Sequence, residues 1–311
     1  MLFPLALPPG IVTPGTDYAG QGRWTDCNLV RWVDGVMQPV GGFQKYLLSD
    51  GTQSQMTLAS DENPRSATTW TDNDLESYLA VGTNAGIQVM NRSGVWTDIT
   101  PTPFNGGQSA ASLNTGFGAG PFGFGTFGTP RTTYANPATN AAASWSFTEY
   151  GENLIGCLRG TNSLYEWAPG DPAMTVVANA PTAPTCCVTS PDARILMVGK
   201  ARRVSWSDSE DNTTWTSTAT NQAGFFDLTS GTPIVEMVSV RDEILILTRT
   251  EAWVARYVGL PLVFSFERVG DGCGVAAPNS VVVTKDFAAW VGEDNFFIYD
   301  GTTRSIRCDV L

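Results

Sequence analysis

The feature that most constrains this chain is a degenerate repeat. A short β-forming run, a turn and further short runs ending in aromatic or apolar residues recur six times. Asn28–Gly35 leads into Val36–Val40. Tyr78–Gly82 leads through Ile87–Met90 to Trp96, and Leu154–Leu158 through Leu164–Trp167 to Met174–Val177. Ile195–Val198 leads through Arg203–Trp206 to Trp215, and Ile244–Thr248 through Ala252–Tyr257 to Val263–Phe266. Ala288–Val291 leads through Phe296–Tyr299 to Arg304–Arg307. The anchors Leu154, Ile195, Ile244 and Ala288 lie 41, 49 and 44 residues apart. Tyr78 and Leu154 are 76 apart, but a Gly-rich stretch of 38 residues, 105–142, lies between them and leaves 38 when removed.

A period of roughly 40–50 residues holding several short strands is that of a propeller blade. A four-stranded blade has two apolar faces and cannot bury either alone. Packing blades radially covers both and leaves only short outer edges. Without the insertion the chain has 273 residues, about 45 for each of six units. The reading is therefore an all-β fold: one β-propeller domain over residues 1–311, about six blades, an extended arm at 1–16 and a Gly/Phe-rich insertion at 105–142. The hairpin at Leu29–Val40 is expected to complete a blade begun by the last residues.

Composition and turn chemistry agree. Charged residues are 15%, with 32 Gly and 19 Pro, and Thr, Val, Trp and Phe recur where long helices need Ala, Leu, Glu and Lys. Asp34-Gly35 and Asp300-Gly301 are hairpin signals at the ends of aromatic strands. The apolar start MLFPLALPPGIV lacks a basic leader and holds three prolines, so it reads as neither signal peptide nor membrane span. The cysteines Cys27, Cys157, Cys186, Cys187, Cys273 and Cys308 form no C-x-x-C and read as reduced thiols.

The chemistry is sparse. The chain has no histidine, which removes the commonest general base and metal ligand and rules out Ser-His-Asp and Cys-His catalysis. Gly116-x-Gly118-x-Gly120 lacks the strand, helix and Lys-Ser/Thr of a nucleotide loop. Asp208, Glu210 and Asp211, between Trp206 and Trp215, are candidates for a carboxylate pair, a calcium or glycan contact, or a structural turn. Ser207-Asp208 followed by Trp215 resembles the Asp-box hairpin of propellers, whose carboxylate caps backbone N–H groups. The reading is no enzyme, no cofactor and no metal, with Asp34, Gly35, Asp208, Trp215, Asp300 and Gly301 as structural turn residues. A net charge of −12 disfavours gripping phosphates or an anionic membrane. Lys200, Arg202 and Arg203 form the one basic cluster, read as bordering solvent or a subunit interface.

In the insertion, Phe117, Phe122, Phe124 and Phe127 alternate with glycines and the only charge is Arg131. Such a segment builds no core of its own. It is either a loose loop or an arm whose phenylalanines lie on a neighbouring subunit or partner, since evenly spaced exposed aromatics are a liability if uncovered.

Three segments together resemble the tail nozzle, or packaged-DNA stabilisation, proteins of short-tailed bacteriophages. They are Gly22-Arg-Trp24 with Asn28–Trp32, Asp34-Gly35 and Pro39–Phe43; the Gly/Phe stretch; and Arg203–Asp208 with Trp215 and Ala219–Gly224. The resemblance implies a structural virion protein that forms a hexameric ring below portal and adaptor. Such a ring continues the DNA channel, surrounds DNA without reading sequence, helps retain and release the genome, and carries tailspikes or a needle. On that reading six copies at −12 each repel DNA and keep the exit slippery. The location implied is the virion tail, assembled in the host cytoplasm, without stable membrane insertion. The other function considered is a monomeric glycan-binding propeller.

Overall fold

The structure, a computed structural model, describes residues 7–12, 16, 18, 20–42, 54–111, 141–160 and 163–306. Among them every regular element is a strand, and no helix is long and apolar enough to cross a membrane.

Twenty strands form five sheets of four, each made of four consecutive strands in spatial order. Blade 1 comprises β3 (Pro64–Thr71), β4 (Ser77–Thr83), β5 (Ile87–Met90) and β6 (Trp96–Asp98); blade 2, β7 (Trp145–Tyr150), β8 (Asn153–Leu158), β9 (Leu164–Trp167) and β10 (Thr175–Val176). Blade 3 comprises β11 (Cys186–Thr189), β12 (Leu196–Lys200), β13 (Arg203–Trp206) and β14 (Gly224–Asp227). Blade 4 comprises β15 (Ile234–Val240), β16 (Glu243–Thr248), β17 (Glu251–Gly259) and β18 (Val263–Asp271); blade 5, β19 (Val281–Val283), β20 (Ala288–Val291), β21 (Phe296–Tyr299) and β22 (Thr303–Ile306). All pairings are antiparallel. The protein is a five-bladed β-propeller.

The expected count of about six is thus corrected to five. The first repeat unit, β1 (Val30–Val33) and β2 (Val36–Pro39), forms a separate two-stranded sheet. Its Asp34-Gly35 turn has φ of 51° and 79°, both left-handed, as a two-residue hairpin turn requires. The expected closure of the last blade by this hairpin is also corrected. The run β19–β22 supplies all four strands of blade 5 and pairs with neither β1 nor β2. In blade 3 the outer strand is β14, not the neighbourhood of Trp215, because residues 207–222 are spent on one long turn.

The innermost strands β3, β7, β11, β15 and β19 pack around the axis. Buried apolar clusters fill the spaces between blades 1 and 2, 2 and 3, 3 and 4, and 4 and 5. Trp145 anchors the first of these. It is fully buried, stacks between Phe104 (5.6 Å) and Phe147 (5.7 Å) and donates its indole N–H to the Thr83 carbonyl at 2.8 Å. Gly82 is required opposite it, since a Cβ there would lie 2.4 Å from the Trp145 ring.

Four-strand meanders give the disc two distinct faces. On the first face the inner strands begin and the turns between second and third strands sit, including 84–86 and 201–202. The second face carries the other turns, among them the acidic stretches Asp72–Glu76 and Asp208–Asp211. The Gly/Phe insertion lies between β6 and β7 and leaves from the first face. The Gly107 N–H donates to the Asn84 carbonyl (2.7 Å), the Ala143 N–H to the Gln108 carbonyl (2.9 Å), and the Arg65 and Asn63 side chains to the Ser109 carbonyl.

Candidate functional site

On the first face, at the axis, one polar network, buried at Arg159 and Glu236 and open to solvent at Asn279, links residues of all five blades or the turns leading into them. Arg159 follows β8 and is turned back by Gly160, whose φ is +70°. Its Nη1 donates to the carbonyls of Thr185 (3.0 Å) and Val235 (3.2 Å), in front of blade 3 and in blade 4. Its Nη2 donates to Glu236 Oε2 (2.6 Å) and to Asn279 Oδ1 (2.7 Å), just ahead of blade 5. The Asn279 N–H also donates to Glu236 Oε2 (3.0 Å), and Asn279 Nδ2 donates to Ser66 Oγ of blade 1 (3.0 Å). Ser66 Oγ in turn donates to the Trp145 carbonyl and accepts from the Trp145 N–H, both at 2.9 Å.

Local structure explains why these side chains meet. Register slips between Ile234 and Glu236 in β15, and such a bulge re-aims a side chain. Asn279 has φ of +58°, a conformation Asn tolerates better than most residues. The Arg159 and Glu236 side chains are only 8% and 6% exposed. Burial works against the Arg159 charge, but the Glu236 carboxylate outweighs it and holds the guanidinium pKa above its ordinary value. Arg159 Nε is buried without a hydrogen-bond partner.

Beside this network lies a cavity of about 310 Å³ lined by Arg65, Ser66, Thr68, Ser146, Phe147 and Asn279, among others. Its lining combines these polar groups and the Arg159–Glu236 pair with apolar Ala67, Trp145, Met237, Val238 and Val281. Among the described residues no group of three or more His, Cys, Asp or Glu gathers to hold a metal.

The residues singled out from sequence lie elsewhere. Phe117, Phe122, Phe124 and Phe127 fall outside the described residues. Asp34 and Gly35 form the β1–β2 turn, and Asp300 and Gly301 (φ +110°) begin the turn from β21 to β22. Asp208 Oδ1 accepts from the Ser209 and Gln222 N–H groups, both at 2.8 Å, and the Asp208 N–H donates to the Thr214 carbonyl (2.9 Å). Trp215 Nε1 donates to the Asn212 carbonyl (2.7 Å). Thr213, through its hydroxyl and N–H, and Thr214 hold the Asp211 carboxyl below its usual pKa. Within the basic cluster, Arg203 makes a bidentate pair with Asp227 (2.7 Å for both bonds) over the Phe225 ring, Lys200 donates to the Thr182 carbonyl, and Arg202 to the Ser230 carbonyl. The described cysteines Cys27, Cys157, Cys186, Cys187 and Cys273 are free thiols.

The axial network escaped the sequence reading. Its members are 77 and 120 residues from Arg159. The signals present were a lone Glu inside the apolar run Ile234–Val238 and a lone Arg closing Leu154–Leu158.

The class defined by fold and axial site is the β-propeller. No family model and no curated protein matches the chain. Solved structures similar to it include virginiamycin B lyase from Staphylococcus aureus, at 9% identity and a TM-score of 0.47, covering 85% of this chain and 77% of that one. A catalytically inactive form of that lyase with quinupristin matches at 10% identity and a TM-score of 0.45, covering 85% and 73%. The extracellular domain of a hybrid two component system from B. thetaiotaomicron matches at 11% and 0.41, covering 81% and 34%. The expectation that the chain is not an enzyme is corrected here. A lyase stands among the structures similar to it, so the exclusion is withdrawn; at this identity the likeness transfers no activity.

Proposed function

We propose that this chain is a structural protein of a short-tailed phage virion, assembling with copies of itself into the ring of the tail nozzle. The observation that carries the reading is the excursion between β6 and β7. Gln108 and Ala143 are hydrogen-bonded neighbours, so the 34 residues from 109 to 142 are an addition to a fold that closes without them. Their alternating Gly and Phe suit a segment laid on a neighbouring subunit. The segments Gly22–Phe43 and Arg203–Gly224 support the reading by their resemblance to nozzle proteins. The Arg159 network bridges the blades across the propeller axis, so in this reading DNA passes through the lumen between copies, where the acidic balance of the chain keeps it from sticking. The test replaces residues 112–140 with a short Gly/Ser linker in the full chain. Blade stability is expected to persist while incorporation into particles is lost; normal incorporation would contradict the reading.

The axial cavity favours a second reading, a propeller that binds a small polar ligand such as a glycan. Calorimetric titration with a sugar panel tests it: saturable binding lost on Arg65→Ala supports it, and no binding removes it.

A further inference from the structure

Among the described residues, four of the five interfaces between neighbouring blades are filled by buried apolar side chains; the fifth, between blade 5 and blade 1, has no such cluster. Blade 5 buries Ala288, Trp290 and Tyr299 toward blade 4. Strand alternation places Val282, Ala289, Val291, Phe296, Ile298 and Ile306 on its other side. The register lines Val282, Ala289 and Ile298 in one row, closed at its outer end by Arg304, which is ion-paired with Asp300, and Val291, Phe296 and Ile306 in a second. Val282 is 66% exposed, Ile306 40% and Val291 37%. The facing wall of blade 1 carries half-buried Leu79, Val81, Met90 and Trp96. Ser54–Thr57 crosses that wall, Ser54 Oγ accepting from Trp96 Nε1 (3.0 Å) and the Thr57 carbonyl from Gln88 Nε2. At the axis the two blades are tied by Asn279 and Ser66.

The same chain carries a second unpartnered β element, the hairpin β1–β2, which pairs with no blade. Val30, Trp32, Met37 and Pro39 share one side of it, Val33 and Val36 the other. Leu29, Val36 and Val40 are exposed. Its four-residue strands match β20, β21 and β22 in length, so it spans the two apolar rows. Arg31, the one charged side chain in its strands, is opposite in sign to Asp98 on the blade 1 wall, while Arg304 at the outer edge of the blade 5 wall is already paired with Asp300. An open hairpin with exposed edges is marginal by itself and seeks a partner.

We infer that the hairpin Val30–Pro39 of a second copy enters the seam between blade 5 and blade 1 and joins copies head to tail. One hairpin and one seam per chain make the contact heterologous, so it closes into a ring or propagates as a filament. The inference goes beyond the nozzle reading, because it rests on the blade walls and holds for any assembly of this chain.

The test uses the full chain with a photocrosslinking benzoylphenylalanine in place of Val36, isotopically light and heavy chains being mixed when dilute and then concentrated. Light-to-heavy crosslinks from residue 36 to blade 5 are expected. Links confined to one isotope would place the hairpin in its own seam and overturn the inference, as would no link to blades 5 or 1. In parallel, Val282→Asp and Val36→Asp, both at exposed positions, are expected to reduce the light-scattering mass to the 33.3 kDa of one chain without moving the melting temperature. An unchanged assembly mass, or a wild-type chain that stays at 33.3 kDa when concentrated, would overturn it.

Discussion

Replacing Arg159 by Met, which keeps most of the side-chain volume, strands the Glu236 carboxylate at the centre of the disc. The wild-type pair is 2.6 Å long with side chains 8% and 6% exposed, so solvent does little to relieve the loss. Removing one partner of such a pair costs about 3–5 kcal/mol, because the remaining charge has no counterion. Four hydrogen bonds disappear with it, to Thr185, Val235, Glu236 and Asn279. At about 2–4 °C per kcal/mol, the melting temperature should fall by roughly 6–20 °C, read by tryptophan fluorescence and by urea titration. The decisive variant is the double change Arg159→Met with Glu236→Leu. If the cost is the stranded charge, the double variant is more stable than Arg159→Met alone. The reasoning is refuted if Arg159→Met costs under about 1 kcal/mol, the range of an exposed pair, or if the double variant loses the sum of the single losses.

Other outcomes follow from the same geometry. Burial raises the Glu243 pKa, but hydrogen bonds from Tyr299 (2.6 Å) and Arg256 (2.6 Å) outweigh it and hold the carboxyl low. Its contribution is therefore present above the unfolded pKa of about 4.3 and lost as pH falls through the lower folded value. Glu243→Gln should flatten the acid limb of stability against pH; an unchanged limb would reject this. Gly82→Ala should cost about 1–3 kcal/mol through overpacking, as its Cβ meets the Trp145 ring; a neutral effect on the urea midpoint would show that the ring yields. Asp208→Ala leaves the Ser209 and Gln222 N–H groups without their acceptor and should cost about 1–3 kcal/mol in the same assay. Cys157 and Cys186 have pKa values pushed well up, the first by contact with Cys187 and burial, the second by burial, so in the native chain both should resist a thiol reagent that labels Cys27; rapid labelling of either would show that blades 2 and 3 open.

The propeller was legible because the second and third strands of each blade are rich in apolar and aromatic residues. The anchors at Tyr78, Leu154, Ile244 and Ala288 fall in β4, β8, β16 and β20, with Ile195 adjoining β12. The innermost strands went unread. β3 opens with Pro64 and is rich in Ser and Thr, and β7 mixes Trp145 and Phe147 with Ser146 and Thr148. Those hydroxyls bridge blades, Ser146 with the Cys187 backbone and Thr148 with Thr189, so the alternation that marks a half-buried strand is broken by polar contacts at the axis. The extra blade arose because β1–β2 has the signature of two blade strands without the other two. The axial network was invisible because a ring brings together turns from different blades, and no local spacing records that.

The central claim, that this chain is a ring-forming component of a phage tail, is tested most directly by cryo-electron microscopy of the intact particle. The account predicts a collar of copies below the portal, each a five-bladed disc, with the Gly/Phe segment crossing a subunit boundary. Particles that lack the protein, while the purified chain stays a lone propeller, would contradict it.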